Sequence, residues 1–285
     1  MPDTKYICLD GLYVKQDKPL LEINNRSFLY GDGLFETIHA NGTEPQFLEK
    51  HLERLINSMH LLRMEIPSFF TSEYFKDHIK GVLTRNKQFK GARVRITIFR
   101  KSGGLYTPET NHVSYAIDSS LLNSDVYALN PTGLIVDTFP DILKPFNTLS
   151  MLKTTSSLLF VMAGLYRIEN KLDDCLILNE NERICESISS NIFIVKGNKF
   201  YTPSLKEGCL PGIMRDIMCN IIRQNGYQLN NDCSLTVKDM LLADEVFLTN
   251  AISGIKWVMG FRQKRYYNKT SKILINLLNK TAFES

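Results

Sequence analysis

Three groups between residues 150 and 216 could do chemistry together. Lys153 stands ahead of a hydroxyl cluster, Thr154, Thr155, Ser156 and Ser157, and of an apolar run over 158–161. A lysine becomes a nucleophile only when burial or a cationic neighbour deprotonates its ammonium. A tether at the junction of a loop and an apolar helix offers that burial, although a lysine so placed is more often simply exposed. Glu186 follows a strand-like run and precedes the small polar stretch 187–190, which lets backbone approach a ligand closely. A carboxylate facing a pyridine nitrogen keeps that nitrogen protonated and makes the ring an electron sink. Without such a ring it is an ordinary turn glutamate. Pro211-Gly212 opens a helix whose first N–H groups, on Ile213 and Met214, lie at the positive end of its dipole, a ready place for a phosphate. As an isolated feature that is only a helix start. Asn250, at the end of a strand, adds a polar side chain. Amine, carboxylate and helix end together suit an aldehyde that carries a ring nitrogen and a phosphate, which describes pyridoxal phosphate (PLP).

These groups need elements to hold them. Residues 6–9 and 11–14 read as a hairpin turned at Asp10-Gly11. In YGDGLFE, Gly31 and Gly33 bracket Asp32 with no GxGxxG pattern, so the glycines read as a turn feeding a strand over 34–40. From Phe47, the apolar positions Leu48, Leu52, Leu55, Met59 and Leu62 form one helical stripe. Arg54 lies off that stripe, and spacing alone makes it a solvated residue. Thr71 or Ser72 caps a second helix. RVRITIF alternates, with Val94, Ile96 and Ile98 on one face and Arg93, Arg95 and Thr97 on the other. Two arginines on one face imply either a solvated surface or the lining of an anionic-substrate site. A loop containing Gly103 and Gly104 leads to a strand over 112–117.

The pattern breaks before a new strand near Gly133. We therefore expect an N-terminal α/β domain over 1–122, a linker over 123–130, and a larger α/β domain over 131–285 that carries Lys153. Hairpins mixed with helices indicate a mixed α/β (α+β) fold, not a doubly wound nucleotide fold. The second domain should hold helices over 156–168, 213–224, 236–243 and 270–279 and strands over 175–178, 191–195, 199–202 and 245–249.

Composition excludes several classes. At 285 residues and 44% hydrophobic the chain can bury a sizeable core. Its net charge of +4 comes without any Lys/Arg run, so a nucleic-acid partner is not expected. Six cysteines without CxxC or Cys/His spacing indicate no metal and a reduced, cytoplasmic setting. No stretch resembles a signal peptide or a membrane span.

The ordered motifs carry a resemblance. E-R-L in a helix, a lysine before an apolar helix, ESxSSNIF, YTP, GIMR and TNA at a strand end resemble the class IV aminotransferases, the fold type IV PLP enzymes. The resemblance runs from YGDGLFE to the final strand pair. It implies a D-amino-acid/branched-chain aminotransferase-like homodimer of two-domain subunits, with PLP between the domains and a small-molecule substrate. By matching motif, Lys153 resembles the lysine that carries the cofactor and Glu186 the partner of the pyridine nitrogen. Arg54 resembles the arginine that clamps the phosphate, a task suited to a bidentate guanidinium, and this replaces its solvated reading. Ile213 and Met214 match the phosphate-holding helix start, Ser189 and Asn250 match cofactor-lining positions, and Phe35, Arg95 and Tyr106 fall on the substrate side.

The family includes branched-chain and D-amino-acid aminotransferases and aminodeoxychorismate lyase, which makes 4-aminobenzoate and pyruvate for folate synthesis. Ser187 after the glutamate, Met214 in GIMR, and Ile252-Ser253-Gly254 after TNA resemble the lyase. Leu105 stands where an arginine often follows the glycines, and Arg95 resembles a substrate-side arginine of the branched-chain enzymes. The expected activity is 4-amino-4-deoxychorismate lyase, with a class IV aminotransferase using 2-oxoglutarate second and a non-catalytic binding relative third.

Overall fold

The computed structural model describes residues 5–284. The chain divides into two units, one running to Val126 and taking in Lys153–Ser156, the other made of Tyr127–Leu152 and Ser157 onward. The first unit is a six-stranded antiparallel sheet in the order β2-β1-β6-β5-β3-β4, formed by β1 (Tyr6–Leu9), β2 (Leu12–Lys15), β3 (Gly33–Asn41), β4 (Glu44–Pro45), β5 (Ala92–Arg100) and β6 (Val113–Leu121). Three helices accompany it: α1 (Arg26–Tyr30), α2 (Leu48–Leu61) and α3 (Ser72–Arg85). Asp10 and Gly11, both at positive φ, turn the first hairpin in the sense that matches strand twist. Thr71 caps α3 by accepting from the Tyr74 N–H.

Register separates the two faces of this sheet. Leu34, Glu36 and Ile38 of β3 pair with Ile98, Ile96 and Val94 of β5, and except for Glu36 they are buried apolar residues facing the helices. Leu48, Leu52, Leu55 and Met59 of α2 are buried, so the helical stripe faces the core as its spacing requires, while Leu62 lies beyond the helix end. The opposite face carries Phe35, Thr37 and His39 against Thr97, Arg95 and Arg93.

The second unit is a nine-stranded mixed sheet. It consists of β7 (Leu134–Thr138), β8 (Asp174–Leu178), β9 (Ile184–Ser187), β10 (Asn191–Lys196), β11 (Lys199–Pro203), β12 (Gln228–Cys233), β13 (Glu245–Asn250), β14 (Gly254–Phe261) and β15 (Lys264–Arg265). Its order is β12-β11-β10-β13-β14-β7-β8-β9, with β15 on β14. The helices are α4 (Leu158–Glu169), α5 (Ile213–Gln224), α6 (Val237–Leu242) and α7 (Lys269–Phe283). One core joins Ile192, Ile194, Val246, Leu248 and Val258 to Met240 of α6. Elsewhere in the sheet, Phe193 and Phe247 stack at 5.0 Å between centroids. The mixed α/β architecture is the one expected.

The elements not anticipated include α1, β12, β14 and β15. The helix α1 has five residues, too few to show a period, and β12 (QLNNDC) alternates in exposure with Asn231 interrupting Leu229 and Cys233 on its less exposed side. The placement of Lys153 also departs from the expectation that the second domain would carry it. Lys153–Ser156 belongs to the first unit because its backbone is bonded to β3, Phe35 N–H donating to the Lys153 carbonyl at 2.9 Å and Thr155 N–H to the Gly33 carbonyl at 2.9 Å. The helix that follows begins only at Leu158, so Lys153 is a half-buried residue of an extended segment and not a helix-start lysine.

Candidate active site

In the first unit, β3 organises the chemistry. Alternation puts Glu36 on the helix-facing side, where it is fully buried and meets α2. Arg54 Nε donates to Glu36 Oε1 at 2.8 Å and Arg54 Nη2 to Oε2 at 2.6 Å, a side-on fork. His51, one helical turn earlier, places Nδ1 at 2.7 Å from Oε2, and since a carboxylate only accepts, that nitrogen carries the proton. Burial by itself would raise the Glu36 carboxyl. The charge of Arg54 and then the His51 hydrogen bond outweigh it and bring the group down to about 2. One edge of the Arg54 guanidinium is thus occupied and its plane is fixed.

The other face of the sheet gathers cations around one ring. The Arg95 guanidinium lies 3.7 Å from the Phe35 ring centroid, and Lys153 Nζ lies 4.4 Å from the same centroid. Arg95 also donates to Thr97 Oγ1 at 3.2 Å and sits in register between Thr37 and Asp118. Burial first, and then the charge of Arg93, hold its guanidinium below the ordinary value, while Asp118 works the other way. Phe35, Arg95 and Lys153 therefore come together. Tyr106 stands on the loop after β5, exposed, with its ring 5.6 Å from that of Tyr30.

In the second unit Glu186 lies inside β9, not in the turn after a strand, and is buried. Lys144 Nζ donates to Oε1, and the Leu210 N–H donates to Oε2 at 2.9 Å. Lys144 is itself buried, its backbone N–H bonded to the Leu178 carbonyl, and it went unrecognised in the sequence. The available signal was a single cation in the apolar run Ile142-Leu143-Lys144-Pro145-Phe146. Leu210 joins Glu186 to α5: its carbonyl accepts from Asn191 Nδ2 and from the Gly212 N–H, each at 2.8 Å. Gly212 is the N-cap of α5 and supplies no side-chain cap, so the first N–H groups, Ile213 and Met214 among them, have no intrahelical acceptor. A Cβ at Gly212 would lie 1.9 Å from Asn191 Oδ1, so any side chain there would displace the Asn191 amide that bonds Leu210. Asn250, ending β13, donates to Ser190 Oγ at 2.9 Å and accepts from the Ile252 and Ser253 N–H groups. Ser189 is exposed in the β9–β10 turn beside Ser190. Thr249 Oγ1, buried on β13 opposite Asn191, has no hydrogen-bond partner among the described residues. An uncapped helix end, an unpaired buried hydroxyl and an anchored carboxylate fit a small ring bearing a nitrogen and a phosphate.

The sequence profile of the family described as Amino-transferase class IV matches residues 33–258. An aminodeoxychorismate lyase of Bacillus subtilis (strain 168) is 26% identical over 257 residues, spanning 86% of this chain and 83% of its own. A branched-chain-amino-acid aminotransferase of Pseudomonas aeruginosa is 26% identical over 262 residues, spanning 87% and 82%. The fold is similar to that of the branched-chain aminotransferase from Thermoproteus uzoniensis solved with norvaline, with a TM-score of 0.86 at 21% identity over 97% of this chain and 94% of that one.

Two stability measurements test these clusters. A carboxyl depressed to about 2 from 4.5 stabilises the fold above its unfolded pKa, and that stability is lost as pH falls through the folded value. Urea denaturation should show about 3 kcal/mol lost through this pH window, an increment absent from Glu36→Gln. Its presence in the variant would refute the assignment. Lys144→Met strands the buried Glu186 carboxylate and should cost about 3–5 kcal/mol at pH 7, and a loss below about 1 kcal/mol would mean the pair is not buried as described.

Proposed function

The chain belongs to the class IV aminotransferase family, a family of PLP-dependent enzymes, and from that premise we propose that it is a 4-amino-4-deoxychorismate lyase. What carries the reading is the cationic face of the first unit, where Arg93 and Arg95 stand two residues apart on β5 and Arg95 shares the Phe35 ring with Lys153. A face of this charge suits a substrate that carries carboxylates, with Arg95 as the residue that would meet one of them. The motifs at Ser187, Met214 and Ile252-Ser253-Gly254 support the same choice. Branched-chain aminotransferases among the relatives support a second reading, transamination with 2-oxoglutarate.

In this proposal Lys153 Nζ would hold the cofactor aldehyde and Arg54 would hold the phosphate. Glu186, held by Lys144 and Leu210, faces the ring nitrogen. The α5 N–H groups of Ile213 and Met214, with Asn250 and Ser189 beside them, complete the polar surround. Residues 210–213 span at most about 10 Å of chain, which keeps the carboxylate and the helix end within reach of one small ring. The bound cofactor supplies an electron sink. Lys153 Nζ would take the proton from the amine-bearing carbon, and Arg95 and Tyr106 would hold the substrate carboxylates as the enolpyruvyl group is lost as pyruvate and the ring becomes aromatic. For transamination Lys153 would instead return that proton to the cofactor side.

We further infer a homodimer in the cytoplasm. The support for association is α4, whose Leu158, Val161, Leu165 and Ile168 are exposed along one helix. The support for the compartment is the six free thiols.

Purified protein should be yellow and bleached by borohydride, whereas Lys153→Ala should be colourless after dialysis. The wild type should form 4-aminobenzoate from 4-amino-4-deoxychorismate, with activity reduced roughly a thousandfold or more in Lys153→Ala. Glutamate formed steadily from an amino acid and 2-oxoglutarate, with no 4-aminobenzoate, would transfer the assignment to the aminotransferase. Sedimentation should give twice the chain mass, and Val161→Glu with Leu165→Glu should return it to the single-chain value. A monomeric wild type at micromolar concentration would refute the dimer.

A further inference from the structure

Arg26, the first residue of α1, is buried although it carries a charge. Its Nη1 donates to the Leu105 carbonyl at 2.6 Å and the Gly103 carbonyl at 3.0 Å, with the Gly104 carbonyl farther off at 3.4 Å. Its Nε donates to Asp32 Oδ2 at 2.9 Å. The same oxygen accepts from Arg100 Nε at 2.9 Å, and Arg100 Nη1 donates to Asn111 Oδ1 at 2.6 Å. The loop after β5 is therefore pinned at its far end by Arg100 and closed by Lys101 N–H on the His112 carbonyl, while Arg26 holds its middle. Gly103 and Gly104 both adopt positive φ there, which turns their carbonyls toward a single donor.

The same guanidinium lies 5.0 Å from the centroid of Tyr30, and Tyr30 in turn touches Tyr106. Tyr106 is thus placed twice, through its backbone by the Leu105 carbonyl and through its ring by Tyr30. The next residue, Ser27, donates from Oγ to Thr155 Oγ1 at 3.0 Å, and Thr155 Oγ1 donates to the Gly31 carbonyl at 2.9 Å. Two consecutive residues of α1 consequently hold the loop and the Lys153 segment against one another. A lysine at position 26 would supply one point charge where the fork serves the carbonyls and Asp32 from a single plane.

We propose that Arg26 is the positioning residue of the substrate loop: by holding the Gly103–Leu105 carbonyls it fixes the loop that presents Tyr106 and so determines which substrates are accepted. This rests on the functional reading above, in which Tyr106 meets the substrate. Arg26 acts through the loop and touches no reacting atom.

The test uses the full-length holoenzyme. Arg26→Met should speed amide hydrogen exchange over residues 103–107 by about tenfold or more while β3 and β5 exchange as before. The KM for 4-amino-4-deoxychorismate should rise about tenfold with kcat within about twofold, and Arg26→Lys should recover part of both effects. Tyr106→Ala should raise KM similarly without altering loop exchange, a measurement that stands even if Arg26→Met does not fold. Faster exchange with unchanged KM, unchanged exchange, or a Tyr106→Ala variant with wild-type KM would each overturn the proposal. Loss of the bound-cofactor absorbance in Arg26→Met alone would make Arg26 a support of the Lys153 segment, overturning the loop role while the functional reading stood. A colourless wild type would instead remove the functional reading, and this inference with it.

Discussion

Two backbone hydrogen bonds, one from Phe35 to the Lys153 carbonyl and one from Thr155 to the Gly33 carbonyl, decide where the Lys153 amine stands. A lysine side chain is long and loses much rotamer freedom when ordered, so its tip is only as well placed as its Cα. Here the Cα is set by a short extended segment paired with the start of β3, with Thr155 Oγ1 adding a third tie at the Gly31 carbonyl. Gly33 belongs to the same constraint, because a Cβ there would lie 2.9 Å from the Ile98 carbonyl oxygen. The consequence for function is that Phe35, the next aromatic along β3, sits where both Lys153 and Arg95 can lie over its ring. Backbone pairing thus converts a strand's alternation into a cluster of two cations and one aromatic.

Glu186 plays the corresponding part in the second unit. Its carboxylate is a junction between three stretches distant in sequence: Lys144, the strand β9 itself, and the Leu210–Gly212 lead into α5. A buried carboxylate without partners would cost several kcal/mol, so Lys144 and the Leu210 N–H are what allow an acid to stand in this interior. Because Leu210 also engages Asn191, the carboxylate and the uncapped helix end move together or not at all. Anchoring of this kind suits groups that must meet opposite ends of one ligand.

Much of this was legible in the sequence, and the reasons differ by residue. The strand over Arg93, Arg95 and Thr97 and the α2 stripe followed from period alone, because one face of each is buried. Lys153, Glu186 and Arg54 were carried by motif resemblance, since spacing could not distinguish them from solvated residues. Glu36 was missed, yet alternation with Leu34 and Ile38 already placed a lone carboxylate on an apolar face, a request for the cation that Arg54 supplies. Lys144 and Arg26 were less legible because each acts on residues dozens of positions away, and no local pattern encodes such a partner. The assignment of Lys153 to the second domain failed for the same reason: its neighbours in sequence belong there, but its hydrogen bonds do not.

That threading has an outcome for how the polypeptide matures. The chain leaves the first unit after Val126, returns for Lys153–Ser156, and leaves again. During synthesis the six-stranded sheet can assemble early, but it stays without its amine until the ribosome has delivered some thirty further residues. A fragment ending at Val126 would carry Arg54, Phe35 and Arg95 without Lys153. Splitting this protein into separately produced halves would therefore need the tetrapeptide 153–156 to dock in trans, where a covalent connection now gives it a high effective concentration.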